Sequence, residues 1–290
     1  MSTVQSLPAA KKPGLSPRQL FLRLFEVLMI AVALIFIFPT IFVLMNSFKP
    51  TAEIQLNPVG LTSQPTFENF LRVLQTEGAG GMTFFKALSQ TFMLTVLSVA
   101  GIILVSSMAA YILVRSKSRI SLGVFFLFAF FFVIPFQTIM VSLVVLLADL
   151  QISNILQLSI VYIGLGVPSA VFMYHGFIKG VPVSLEESAA IDGAGTFRLF
   201  FQIVFPLLTP ITATIAILDI IWVWNDFLLP YITMRSGTLV LFQFNFFGAF
   251  KKDYGALTAS LVLTATPVVV LYIALQKYII KGISAGAVKG

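Results

Sequence analysis

The side chains that could do chemistry in this sequence fall into two groups. One is a short polar segment that contains Glu186, Glu187 and Asp192; the other consists of isolated polar residues inside or beside long apolar runs, such as Gln137 and Asp219. Acidic groups on a surface helix can dock a partner protein, whereas an isolated carboxylate within an apolar run is costly and should face a cavity or another helix. Neither arrangement is typical of a catalytic centre.

The remaining composition also argues against catalysis. The chain has no cysteine, which excludes thiolate metal sites and cysteine nucleophiles, and its one histidine, His175, has no second metal ligand nearby. We interpret His175 as an interface residue rather than as a proton or metal site. The sequence also lacks the Gly-x-x-x-x-Gly-Lys-Ser/Thr phosphate loop. We therefore expect no catalytic residue, no metal site and no cofactor in this chain.

The elements that position these residues must lie in lipid. Of the 290 residues, 58% are hydrophobic and only 10% are charged, and the mean hydropathy is +1.01. A helix needs roughly 20 apolar residues to cross the hydrocarbon layer. We predict an all-α membrane protein that forms one transmembrane domain over residues 1–290, with six spans at about 22–45, 85–114, 121–147, 155–177, 208–230 and 257–280.

The basic residues predict the orientation. With the N-terminus in the cytoplasm, twelve of the 18 Lys and Arg residues fall on the cytoplasmic side, and the other six fall outside: Lys49, Arg72, Lys86, Arg235, Lys251 and Lys252. This bias predicts that both termini are cytoplasmic. Residues 1–20 then form a cytoplasmic tail, and the first span lacks a cleavage site for a signal peptidase. Because the charges are scattered between apolar runs, the net charge of +7 does not indicate nucleic-acid binding.

The connection 178–207, which is predicted on the cytoplasmic side, is the most informative loop. Ser184 and Glu187 fit a capping box that would start a short helix, and Asp192-Gly193 predicts a turn after it. A second stretch places Phe197, Phe200, Phe201 and Val204 at helical spacing, which predicts an apolar face. From periodicity alone, a plain surface helix and a partner-docking helix remain equally open.

The order of residues in this loop resembles the EAA loop of ATP-binding cassette importer permeases. Their pattern is Glu-Ala-Ala, three residues, Gly, nine residues, Ile, one residue and Leu-Pro; this chain has Glu187-Ser188-Ala189, Gly193, Ile203 and Phe205-Pro206 at the same spacing. Ser188 and Phe205 are mild departures. The resemblance implies that the loop couples to an ATPase through eight residues: Glu186, Glu187, Ala189, Asp192, Gly193, Ala194, Ile203 and Pro206. For Asp192, a turn residue without a partner is an equally good interpretation.

Four further segments narrow the resemblance to carbohydrate importers of the maltose-permease type, and to the smaller permease subunit of that group. They are Phe48-Lys49-Pro50, Phe67-Glu68-Asn69-Phe70, the segment Trp224 to Pro230, and the tail from Gln276. The resemblance implies a type I importer permease fold in the bacterial cytoplasmic (inner) membrane. It also implies a second permease subunit, an ATPase dimer that holds ATP and magnesium, an extracytoplasmic sugar-binding protein, and a sugar or oligosaccharide substrate.

Other polar residues are candidates for the pathway or for docking. Asp219 is predicted inside the fifth span and favours a pathway or interhelical role. Asn225 and Asp226 are more simply solvated residues at a helix end, although a gate or sugar contact is open. Gln137 suits a sugar hydroxyl or an interhelical contact. In the external loop 231–256, Gln243, Asn245 and Lys251 could contact the binding protein, or the loop could be a solvated hairpin.

Two other classes of protein were weighed against the importer permease. A secondary transporter also needs broken helices and intramembrane acids, but it does not need the spacing from Glu187 to Pro206, and the sequence shows no inverted repeat. A membrane enzyme would need acids, His or Arg clustered at one membrane face, which this chain does not offer.

Overall fold

The computed structural model describes residues 17–116, 118–247 and 253–287, with the side chains of all of these except 275 and 277–287. Apart from an isolated bridge between Gly78 and Met82, the regular elements in these ranges are helical. In chain order the α-helices are α1 (Pro17–Ser47), α2 (Thr51–Leu56), α3 (Glu68–Gln75), α4 (Phe84–Arg115), α5 (Arg119–Val133), α6 (Phe136–Asp149), α7 (Ile155–Ile178), α8 (Val183–Ile191), α9 (Thr196–Leu199), α10 (Phe205–Leu207), α11 (Thr209–Asn225), α12 (Leu228–Thr233), α13 (Leu239–Gln243) and α14 (Tyr254–Ala287). A π-helical turn, Phe200–Val204, joins α9 to α10, and a 3₁₀ turn, Phe244–Phe246, follows α13.

Membrane spans account for most of the helical length. The helices α1, α4, α7 and the Tyr254–Ala274 part of α14 are each long and apolar enough to cross a membrane. Two bent pairs are apolar enough to act as further spans: α5 with α6, which meet at 97°, and Thr196–Leu207 with α11, which meet at 76°. Counting each pair as one span gives up to six. The predicted all-α membrane fold is confirmed.

Two predicted spans are not single helices. The segment predicted at 121–147 breaks between Val133 and Phe136, because Pro135 has no N–H to donate and disfavours helical geometry at the preceding residue. The segment predicted at 208–230 ends its helix at Asn225, because the Asp226 Oδ1 accepts the Leu228 N–H at 3.0 Å and starts α12. The backbone runs as helix through Pro168 in α7 and through Pro267 in α14.

The centre of the bundle is the long parallel pair α4 and α7, against which α11 packs. Glycine allows this close approach. A Cβ on Gly101 of α4 would lie 2.2 Å from the Ile163 side chain of α7, and a Cβ on Gly166 of α7 would lie 2.5 Å from the Ile102 side chain of α4. Small residues are the usual means of bringing helices together in lipid, where hydrophobic burial offers little driving force.

The bundle has two distinct ends. The loop end carries residues 179–204, and the cap end carries residues 48–83 and 226–247. At the cap end Lys49 is fully buried, and its Nζ donates to the carbonyl oxygens of Asn57 at 2.8 Å and Pro58 at 3.2 Å. The Asn69 amide donates to the carbonyl oxygens of Ser47 at 2.9 Å and Lys49 at 2.7 Å. These bonds attach α2 and α3 to the end of α1.

Candidate functional site

The helix α8 starts two residues earlier than the sequence predicts. Its N-cap is Pro182, so Ser184 already lies inside the helix and cannot cap it. The predicted capping box is therefore wrong. Instead, the Ser184 carbonyl accepts a bond from the Ser188 hydroxyl at 2.9 Å, in the ordinary i, i+4 direction.

Glu186 points into the protein. It is 7% exposed, and its carboxylate accepts bonds from the Arg115 Nε at 2.8 Å, the Arg115 Nη2 at 2.6 Å and the Tyr111 hydroxyl at 2.9 Å. Arg115 also donates to the Val181 carbonyl at 3.0 Å, just before α8. Charge-assisted bonds of this kind are about twice as strong as neutral ones. Glu186 therefore fastens α8 to the end of the central helix α4.

The outer face of α8 and the turn after it remain free. Glu187 and Asp192 are exposed. The helix ends in a Schellman motif: the Ala194 N–H donates to the Ala189 carbonyl at 3.0 Å, and the Gly193 N–H donates to the Ala190 carbonyl at 3.1 Å. Gly193 has a φ of +81°, a backbone conformation that is strained for a residue with a side chain. The turn therefore has a fixed geometry that requires glycine.

The second half of the loop differs from the predicted apolar stripe. Phe200 and Val204 are buried in the core, but Phe197 is 73% exposed and Phe201 is also exposed. The π-helical turn Phe200–Val204 explains the difference, because it has more residues per turn than an α-helix and moves the later side chains out of the predicted register. Ile203 is half-buried and Pro206 is exposed. Phe197 and Ile191, which is 87% exposed, leave apolar surface on the loop that also carries Glu187.

Asp219 lies in the middle of the bundle. It is 8% exposed, and its Oδ2 has no hydrogen-bond partner within the described residues. The carboxylate lines a cavity of about 360 Å³ between α5, α6, α7 and α11, together with Ser169, Phe132 and Trp222. Gln137 is exposed on α6 and does not line this cavity. The cavity thus combines one acid, one hydroxyl and aromatic rings.

Asp226 is not the solvated residue that the sequence favours. Its Oδ2 accepts the Tyr162 hydroxyl at 2.5 Å, and its Oδ1 accepts the Leu228 N–H, so it ties α7 to the junction of α11 and α12. Tyr162 is fully buried, and sequence reasoning did not select it. Asn225 is exposed and donates to the Ile221 carbonyl at 2.8 Å within its own helix.

Comparison with known proteins identifies the family of this chain. Residues 101–285 match the family described as "Binding-protein-dependent transport system inner membrane component". The chain belongs to that family.

Full-length relatives agree with this assignment. The permease is 37% identical to the "Probable starch degradation products transport system permease protein AmyC" of Thermoanaerobacterium thermosulfurigenes, over 90% of this chain and 94% of that one. It is 34% identical to the "Multiple sugar-binding transport system permease protein MsmG" of Streptococcus mutans, over 91% and 95% of the two chains. The chain is therefore a transport subunit, and ATP hydrolysis belongs to a partner.

A solved structure supports the fold. The permease superposes with a TM-score of 0.74 on a chain of the "bacterial ABC transporter involved in the import of the acidic polysaccharide alginate", covering 92% of this chain and 100% of that one. The identity of 22% shows the fold alone. The predicted importer permease fold is confirmed.

The cap end of the permease holds the residues predicted to face a binding protein. The Gln243 amide donates to the Thr264 hydroxyl at 3.0 Å, and the Asn245 amide donates to the Phe242 carbonyl at 2.7 Å, so both side chains are held within the chain. Lys251 lies outside the described residues. Among these, no group of three His, Asp or Glu side chains could hold a metal ion.

An ion pair that sequence reasoning missed closes the cap. The Arg72 Nη1 donates to the Asp253 Oδ2 at 2.6 Å and joins α3 to the start of α14. Burial alone would raise the pKa of Asp253, but the Ala256 N–H and the Arg72 guanidinium outweigh it and lower that pKa. The bond to Asp253 raises the pKa of Arg72. No sequence signal links positions so far apart along the chain.

Proposed function

We propose that the chain is the permease subunit of an ATP-driven importer for sugars or oligosaccharides, and that it couples to its ATPase through α8. One observation carries the proposal: one face of α8 is bonded to the bundle, and the opposite face is exposed. Its inner face is fastened through Glu186 to α4, whereas its outer face leaves Glu187 and Ile191 exposed. Phe197 of the following helix, α9, is exposed as well. A short helix with an acid and apolar side chains on its free face suits docking into a cleft of a partner.

The attachment of α8 suggests how force passes through the permease. A partner that moves α8 would pull on Arg115 through Glu186, and Arg115 is the last residue of α4. Because α4 is packed along α7, a shift at the loop end would rock the central pair as a rigid body. The Schellman turn at Gly193 then passes the motion to the segment whose Phe200 and Val204 lie in the core.

The cavity at Asp219 is the proposed place of passage. Solute sites are mostly apolar and aromatic with a few placed polar groups, and the cavity of Asp219, Ser169 and Trp222 has this composition. The sugar class is inferred from the relatives, whose names refer to starch degradation products and to multiple sugars. Gln137 and Asn225 would contact solute only if the cavity opens further.

The remaining assignments follow from the charge bias and from the family. The loop end and both termini would be cytoplasmic, in the bacterial inner membrane. The cap end would face an extracytoplasmic sugar-binding protein, with Gln243, Asn245 and Lys251 near the contact. A second permease subunit and an ATPase dimer, which binds ATP and magnesium, would complete the importer.

Uptake of labelled sugar into proteoliposomes tests the proposal. The vesicles contain this chain, the second permease and the ATPase, with binding protein supplied. Glu187→Arg combined with Phe197→Asp should abolish uptake and leave assembly of the two permeases intact. Glu77→Arg, a reversal of an exposed acid at the cap end, is the matched control for charge and should keep ATP-driven uptake. Uptake that persists without ATPase, or in the Glu187 and Phe197 variant, would refute the coupling proposal.

A further inference from the structure

A second cavity lies at the loop end, away from Asp219. Its volume is about 390 Å³, and it is bordered by the last residues of α4, the first turns of α5 and the end of α7. The polar lining consists of Ser116, Ser118, Arg119, Ser121, His175 and Lys179. Neither the coupling surface nor the proposed solute cavity uses these residues.

The cavity is positively charged and has no counter-ion in the described structure. Arg119 comes from α5, and Lys179 directly follows α7, so two separate helices bring cations to one space. None of the described lining residues is acidic. The ion pairs within the described ranges involve only Arg72 and Arg115 as cations, so neither Arg119 nor Lys179 is neutralised by a carboxylate.

Aromatic contacts hold the lysine beside the cavity. The ring of Phe125 stacks on His175 with centroids 3.6 Å apart, and the Lys179 Nζ lies 5.9 Å from the Phe125 centroid. A cation over an aromatic face is attracted to it, and this limits the positions that the long side chain takes. The Ser118 hydroxyl caps α5 by accepting the Ile120 N–H at 3.1 Å, which leaves its own proton free to donate.

The cavity also opens towards lipid. Leu122 and Phe126 line it and are more than half exposed on α5. The spans α4 and α7 end beside it, at Arg115 and Ile178, so the cavity lies at the level where hydrocarbon gives way to headgroups. Basic pockets between spanning helices at this level are typical sites for anionic headgroups.

We propose that this cavity binds the phosphate of an anionic phospholipid. Arg119 and Lys179 would pair with the phosphate, the hydroxyls of Ser118 and Ser121 would donate to its oxygens, and an acyl chain would lie along Leu122 and Phe126. Such a lipid would bridge the turn between α4 and α5 to the end of α7. Because Lys179 precedes Pro182 by three residues, the lipid would also fix the segment from which α8 begins.

Native mass spectrometry of the assembled transporter in detergent, titrated with phosphatidylglycerol, tests the site. Each cation beside an anionic headgroup contributes about fivefold to affinity, so Arg119→Gln with Lys179→Gln should weaken the tightest phosphatidylglycerol site about thirtyfold. Lys179→Gln alone should weaken it about fivefold and serves if the double variant fails to assemble. The matched control is Arg18→Gln with Arg23→Gln, which removes two exposed cations of α1.

The outcomes separate the possible ligands. Tight phosphatidylglycerol binding that survives excess phosphatidylcholine and millimolar inorganic phosphate supports the lipid site. Displacement by inorganic phosphate would overturn the lipid assignment in favour of a free-anion site. Equal losses in the Arg119 and Lys179 variant and in the control, or no loss in either, would overturn the site itself. The result does not depend on which solute is carried, so it stands or falls apart from the sugar proposal.

Discussion

Replacing Arg115 with alanine should loosen α8 from the bundle without unfolding the spans. The substitution removes both guanidinium bonds to Glu186 and the bond to the Val181 carbonyl. It leaves the Glu186 carboxylate buried with the Tyr111 hydroxyl as its one remaining partner in the described structure. Removing one member of a buried ion pair costs about 3–5 kcal/mol, because the other charge stays desolvated.

The lower end of that range applies here. The Arg115 side chain is 19% exposed, so water can reach part of the vacated space and solvate Glu186. A cost of about 3 kcal/mol corresponds to a change of about 150-fold in the equilibrium for local opening. Amide protons of Val183–Ile191 should then exchange with solvent about 150-fold faster, if opening and closing are rapid.

Hydrogen–deuterium exchange on the assembled, nucleotide-free transporter in nanodiscs measures this rate. Arg198→Ala is the matched control, because Arg198 lies in the same loop, is exposed, and bonds through its Nε to the Gln202 side chain at 2.9 Å. The Arg198 variant should leave the exchange rate of the α8 amides within about a factor of three of the wild-type rate. Equal exchange of α8 in the Arg115 variant and in the wild type would refute the view that this ion pair fastens the helix.

Three further predictions concern other parts of the fold. Gly193→Ala should lower the stability of the loop by about 1–2 kcal/mol because the φ of Gly193 is +81°, and the Ala194 amide proton should exchange faster with solvent. Gly195→Ala is the control and should have little effect, because the φ of Gly195 is −70°. Asp253 has a lowered pKa, so its bond to Arg72 stabilises the cap above about pH 4, and this contribution is lost as the pH falls through the lowered pKa. In thermal unfolding, Asp253→Asn should reduce stability at neutral pH and weaken the loss of stability that the wild type shows in acid. An equally steep loss in acid in the variant would count against the pair. Gly166→Ala should lower the unfolding temperature through overpacking, and adding Ile102→Val, which removes the clashing methyl, should restore part of it.

The sequence predicted those features that depend on neighbouring residues. Long apolar runs locate spans because backbone groups in lipid must bond within their own helix. The turn at Gly193 was also predictable, since Asp-Gly after a short helical segment favours a left-handed residue. The break at Pro135 has a local cause in the proline itself, but the angle of 97° between α5 and α6 depends on packing against distant elements such as α12, which the sequence does not encode locally.

The partners of the polar groups could not be predicted in this way. The two residues that bind Glu186, Tyr111 and Arg115, lie 75 and 71 positions before it. Asp226 was assigned to solvent because its neighbours place it at a helix end, yet its partner Tyr162 is 64 positions away. Whether a polar residue faces water or a neighbouring helix is decided by tertiary packing, and one sequence contains no signal for such pairings.

The position of α1 has a consequence for how the protein is made. Within the described structure, the extensive helix contact of α1 is with α14, the last element of the chain. A growing chain therefore inserts α1 first and holds it beside lipid until all the other spans have been synthesised. Its packing site appears only when α14 enters the membrane, so the bundle is completed only after α14 has been synthesised. A chain cut short before α14 would leave α1 held at its Ser47 end but without its helix partner, and so available to membrane quality control.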